Sequence, residues 1–145
     1  MNENQIITSI PVKDLSYDDL NLLQVFRNKA LLLLFYNNKC LGCTGRAIPL
    51  AYQFQKLYPN IQVVGIHSNF GNEKTTEEYI KSIFTTDDLP FPIFLDETQS
   101  VYEFFNCEGT PHWVLLTEDH RLYRTFFGSQ SNSENRLYYA LESLK

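Results

Sequence analysis

Cysteine is scarce in this sequence, and the scarcity excludes a whole class of scaffold. The chain has 145 residues and three cysteines. At most one internal bridge can form and one thiol stays over, so a disulfide-stapled fold is ruled out. Glycine and proline, six of each, are too few for a collagen-like or low-complexity chain. Positive charge is also short: 12 Lys and Arg against 17 Asp and Glu leave a formal net charge of −5. A protein that grips nucleic acid or an anionic membrane needs a basic face, so neither partner is expected. No apolar run approaches the roughly 20 residues that cross a bilayer. The longest is Ala30–Tyr36, ALLLLFY. The opening residues, MNENQIITSIPVKD, carry no basic segment followed by an apolar one. No signal peptide is expected, and the default compartment is the cytoplasm; a chain whose leader had been removed would read the same.

What the chain does have is apolar and aromatic mass. It is 43% hydrophobic, with eleven Phe, nine Tyr and one Trp. That is enough for the core of one domain over residues 1–145, with no repeat or linker. Residues 6–12 read as a short edge strand in which Pro11 limits pairing. Ser16, with Asp18 and Asp19 behind it, reads as the cap of a helix to Phe26. Ala30–Tyr36 has the length and flanks of a strand buried on both faces. A helix follows Cys43 to Tyr58, then a strand over 61–66, a loop over 67–74, and a helix capped by Thr75 or Thr76. A strand at 93–95 and a helix over 98–106 come next. Trp113–Thr117 and Leu122–Phe127 read as an antiparallel hairpin, and Ser131–Leu144 as a closing helix. This order makes an α/β sandwich with a mixed sheet.

The most informative residues are Cys40 and Cys43, where a buried strand hands over to a helix. Two intervening residues let both sulfurs lie in one helical turn and bridge. The helix N-terminus offers unpaired N–H groups and positive partial charge, which stabilise a thiolate. Lys39 adds to this if its ammonium turns back toward the sulfur. The chemistry implied is thiolate attack on a disulfide, with the second cysteine resolving the mixed disulfide. Two other readings stay open. The thiols can be inert, or they can be half of a metal site completed by His67, His112, His120 or Cys107. No second Cys-x-x-Cys supplies the usual four zinc ligands, so no metal is called for.

Gly109-Thr110-Pro111 precedes the hairpin, a place where cis X–Pro bonds occur, although trans is the commoner state. Together with the cysteine pair it makes the chain resemble the thioredoxin superfamily, and within it the redoxin branch of TlpA-like and AhpC/TSA-like proteins. LLLLFYNNKCLGCTGRAIPL, QVVGIHSN, FPIFLDETQSVYEFFNCEGTPHWVLLTEDHRLYRTFFG and the last helix carry the likeness, over roughly residues 6–145. The resemblance implies a thioredoxin-like three-layer α/β/α sandwich with a mixed β-sheet. It implies thiol–disulfide oxidoreductase activity without a bound cofactor. Cys40 matches the exposed nucleophile, Cys43 the buried resolver and Pro111 the family's cis-proline. Thr110 matches the residue whose backbone pairs with an extended substrate. The partners implied are a disulfide-containing protein or small-thiol substrate, and a reducing protein or low-molecular-weight thiol. Residues from His67 into the next helix look like the insertion that separates redoxins from minimal thioredoxins.

The sequence departs from the family at several points. Lys39 stands where Trp is usual. Leu41-Gly42 separates the cysteines without a proline. Leu34 and Arg46-Ala47-Ile48 occupy the places where many members carry a buried carboxylate. Pro49 lies six residues after Cys43 where five is usual, which implies one extra residue near Thr44-Gly45 and a distorted first turn. His112 is a candidate to face and tune the pair, and His67 sits at a strand end, where α/β sheets present functional groups. Cys107 reads as a small buried hydrophobe. A peroxiredoxin-like peroxidase is a weaker alternative, because Pro-x-x-x-Thr-x-x-Cys is absent. A non-enzymatic binding module, with or without a metal on the pair, is another.

Overall fold

A strand with apolar residues on both faces must be covered on both sides, and that requirement organises the molecule. The structure, a computed structural model, describes residues 2–86 and 88–145. In chain order it contains β1 (Pro11–Lys13), β2 (Asp19–Asn21), α1 (Leu22–Val25) and β3 (Ala30–Tyr36). A π-helical turn (Cys43–Ala47) leads into α2 (Ile48–Leu57), followed by β4 (Ile61–Ser68) and α3 (Glu77–Lys81). Then come β5 (Ile93–Asp96), α4 (Ser100–Phe104), β6 (His112–Leu116), β7 (Leu122–Phe127) and α5 (Ser131–Leu144). No helix among the described residues is long and apolar enough to cross a membrane.

The seven strands form one mixed sheet in the order β2-β1-β5-β4-β3-β6-β7. All seven residues of β3 are buried. It pairs in parallel with β4, from Ala30 opposite Ile61 to Tyr36 opposite His67, and antiparallel with β6. Alternation along β3 feeds two cores. Leu32, Leu34 and Tyr36 pack with Cys43 and Ala47, with Ala51 and Phe54 of α2, and with Leu137 and Leu141 of α5. Leu31, Leu33 and Phe35 pack on the opposite face with Leu22 and Leu23 of α1 and Val101 of α4. Each such side chain contributes roughly 1.5–3 kcal/mol on burial. The result is the three-layer α/β/α sandwich of the thioredoxin-like fold.

One expected helix is not formed. Residues 16–26 divide into a hairpin strand and a single helical turn. Asp14 Oδ1 accepts the Ser16 and Asp18 N–H groups at 2.9 and 3.0 Å, closing a tight turn in which Tyr17 takes φ 67°. The chain then returns as β2, with Leu20 opposite Val12. The helix cap is Asn21, not Ser16: its Oδ1 accepts from Leu23 N at 3.1 Å and from Ile10 N at 2.9 Å. Pairing with β1 outweighs the weak helical preference of a short segment. Strand β1 is not an edge, since β2 lies outside it, and Pro11 tolerates the arrangement by standing first in the strand. Ile6 makes an isolated bridge to Arg121. Strand β4 continues through His67 and Ser68, so these residues belong to the sheet and not to the loop. Thr76 caps α3, its Oγ1 accepting from Tyr79 N at 3.1 Å.

Gly65 lies in β4, where two aromatic rings close over the sheet. A Cβ there would meet Phe91 Cε1 at 2.9 Å, Ile93 Cγ1 at 3.1 Å and Tyr36 Cε1 at 3.4 Å. Gly65→Ala is expected to destabilise the fold by about 1–3 kcal/mol through overpacking. Denaturant unfolding with unchanged slope and a lower midpoint is the check.

Candidate active site

Strand β3 ends at Tyr36, and the turn after it is fixed by its own polar side chains. Asn37 Oδ1 accepts the Lys39 N–H at 2.9 Å, and the Asn37 carbonyl accepts the Cys40 N–H at 3.0 Å. Asn37 Nδ2 donates to the Ser68 carbonyl at 2.8 Å, tying the turn to the end of β4. Helical geometry then begins, but its first turn is wide: the Ile48 N–H reaches back five residues to the Cys43 carbonyl. The π-helical turn absorbs the extra residue that the Cys43–Pro49 spacing implies. Gly45 sits on its open side, with no neighbouring atom within 4 Å of where a Cβ would be.

The turn brings the two cysteines into one small cluster, both as free thiols. The Cys43 N–H points at Cys40 Sγ at 3.3 Å, and the Cys40 thiol lies 3.4 Å from the Thr110 carbonyl, to which it donates. Cys40 is half-buried, whereas Cys43 is fully sealed. Burial pushes the Cys43 thiol up to about 12, and its hydrogen bond with Cys40 adds to the effect. The Thr110–Pro111 peptide bond is cis. Pro111 Cδ stands 3.7 Å from the position a Gly42 Cβ would take, so this proline abuts the segment between the cysteines. Gly109, before it, has φ +142°, and a Cβ there would stand 2.9 Å from Phe127 Cε1. Glycine is required at that position by backbone and space alike.

The remaining candidates are distributed unevenly. Lys39 is exposed and lines a cavity of about 600 Å³ whose wall also includes His67. His112 is not brought to the pair. By strand alternation its ring lies on the face away from Trp113, which packs with Cys43. Its Nδ1 accepts the Glu108 N–H at 3.4 Å, and its ring stands 6.3 Å from that of Phe127. The sequence alone cannot say which face a strand residue takes until the register is known. Cys107 packs against the α1–α4 core, where burial pushes its thiol up to about 12. Among the described residues no three His, Cys, Asp or Glu side chains converge as metal ligands would.

Sequence reading missed Tyr36 and the polar cavity. The Tyr36 hydroxyl is buried in the Cys43 core without a hydrogen-bond partner among the described residues. Burial, then the neighbouring Cys43, push it above the ordinary phenol range. Its ring meets His67 edge-on at 5.2 Å, and His67 meets Tyr79 at 5.9 Å. The available signal was the stretch SNFGNEKTT, longer and more polar than a strand-to-helix connection requires.

The fold is that of the thioredoxin-like class. The pattern of the AhpC/TSA family matches residues 4–127, and the chain belongs to that family. No curated protein matches the sequence. Solved structures do. A candidate thiol:disulfide interchange protein DsbE from Chlorobium tepidum superposes with a TM-score of 0.82 at 13% identity, over 99% of this chain and 98% of that one. A thiol-disulfide isomerase from Corynebacterium glutamicum gives 0.76 at 22% identity, over 97% and 96%. StoA from Bacillus subtilis gives 0.67 at 18%, over 92% and 96%.

His67 carries a pH signature. Burial lowers its imidazole from 6.5 to about 4, against an opposing pull from the Glu97 charge. Between those values the unfolded chain binds a proton that the folded one refuses. Stability present above pH 6.5 therefore falls as the pH drops toward 4, by roughly 3 kcal/mol in all. His67→Gln should flatten this part of the dependence of unfolding free energy on pH. An unchanged slope would show that the ring does not titrate as its burial requires.

Proposed function

We propose that this protein is a thiol–disulfide oxidoreductase in which Cys40 attacks and Cys43 resolves. The observation that carries the reading is the asymmetry of the pair. One sulfur is accessible and receives a helix-start N–H, while the other is sealed beneath it. Family membership and the shared fold support it.

The Cys40 thiolate attacks one sulfur of a substrate disulfide. The second sulfur leaves with the bonding electron pair and takes up a proton. Cys43 then loses its proton and attacks Cys40 Sγ, expelling the remaining substrate sulfur as a thiol. The substrate gains two electrons and two protons, and Cys40–Cys43 becomes a disulfide. A reducing protein or small thiol restores the pair. Burial keeps Cys43 protonated until the mixed disulfide forms, which confines attack to Cys40. The Thr110 carbonyl lies against Cys40 Sγ, next to the cis peptide bond to Pro111, and it is available to an extended substrate backbone once the thiol proton has left. Leu41, 86% exposed between the two cysteines, offers an apolar contact in place of the usual Trp.

Reduction of insulin disulfides, followed against peroxide consumption, tests the reading. Cys40→Ser should abolish the first activity, and Cys43→Ser should accumulate a mixed disulfide visible by mass spectrometry. Full reductase activity in Cys40→Ser, or peroxide turnover exceeding disulfide reduction, would remove the assignment.

A further inference from the structure

Building on the oxidoreductase reading, we propose that the cavity beside the cysteine pair binds the disulfide form of small thiols that carry free carboxylates, of the amino-acid or short-peptide kind. At about 600 Å³ the cavity has the size of a small-molecule site. It adjoins the nucleophile through the chain itself. Lys39 lines it and is bonded to Cys40, and Asn37, also in the wall, holds the Cys40 amide.

The walls are fixed by hydrogen bonds that leave particular groups uncommitted. Asn69 Nδ2 donates to the Glu73 carbonyl at 2.7 Å, and its Oδ1 accepts the Gly71 N–H at 2.9 Å. Asn38 Nδ2 donates to the Tyr79 carbonyl at 2.7 Å, joining α3 to the turn before Cys40. His67 Nε2 accepts the Asn38 N–H at 3.2 Å, so the neutral ring carries its proton on Nδ1. That nitrogen is a buried donor without a hydrogen-bond partner among the described residues, in a ring 1% exposed that forms part of the cavity wall. A buried polar group left unmatched is costly, and a ligand acceptor would relieve it.

Charge supplies the rest. Lys39 and Lys74 both line the cavity, and no ion pair among the described residues involves either. The Lys74 ammonium stands 4.0 Å from the centre of the Tyr17 ring, which helps place it. Glu73 is the one acid among the lining residues. The Glu97 carboxylate behind the wall already accepts from Tyr17 Oη at 2.8 Å, Thr75 N at 3.1 Å and Asn69 Nδ2 at 3.2 Å, so the two ammonium groups and the His67 donor are what the cavity leaves open to a ligand. A carboxylate matches these groups through charge-assisted hydrogen bonds, and an ammonium does not.

The test compares three disulfides on the full reduced chain: glutathione disulfide, uncharged hydroxyethyl disulfide, and cystamine, whose halves carry ammonium groups. Oxidation of the pair is followed by stopped-flow fluorescence of Trp113. Glutathione disulfide should react about tenfold faster than the uncharged probe, and cystamine slowest. Salt should shrink the preference. In Lys39→Gln/Lys74→Gln the ratio of glutathione disulfide to hydroxyethyl disulfide rates should fall about tenfold. A general change in Cys40 reactivity cancels in that ratio. Lys74→Glu should move the preference toward cystamine. Equal rates for the three probes, or a ratio unmoved by the lysine variants, overturns the inference and leaves the oxidoreductase reading intact. No reaction with any of the three, together with intact insulin disulfides, sinks that reading itself.

Discussion

Everything at the reactive end of this molecule depends on the complete burial of β3. A strand that is apolar on both faces cannot lie at the surface, so helices must cover it on both sides. It pairs on one edge with β4 and on the other with β6, which places its C-terminal end where the chain's connections diverge. Such carboxyl ends are where open α/β sheets present their ligands. The pair, the turn at Asn37, the end of β4 and the loop before β6 meet there because β3 is held in the middle.

The local chemistry is then set by solvent access more than by charge. The positions where a buried acid is usual in relatives hold Leu34 and the Arg46-Ala47-Ile48 segment. What remains is a difference in exposure between two sulfurs three residues apart. A single amide, the Cys43 N–H, points at the outer sulfur. Removal from water opposes charge on the inner one. The Tyr36 hydroxyl, without a hydrogen-bond partner among the described residues, stands in the same core as the inner sulfur.

Much of this was legible in the residues. The run ALLLLFY announced a strand buried on both faces because continuous apolarity has no half-exposed solution. The count from Cys43 to Pro49 announced the wide turn, since an extra residue between fixed points must be taken up locally. The hairpin at residues 11–21 was not legible, because its acidic, Ser-led start mimics a helix cap while the Asp14 side chain closes a turn instead. The side taken by His112 followed from sheet register, which no local pattern encodes. The environment of His67 depended on Tyr36 and Tyr79, residues distant in sequence that only the folded sheet and α3 bring against it.

The third cysteine has a consequence of its own. Cys107 and the pair belong to different cores, with the sheet between them. An intact sheet keeps these thiols in separate surroundings. On the proposed chemistry, electron traffic at the pair leaves Cys107 as a silent spectator. On the proposed exchange chemistry, the opened and alkylated chain takes three labels when the pair is reduced and one when it is bridged. The molecule thus carries its own internal standard for reading its oxidation state.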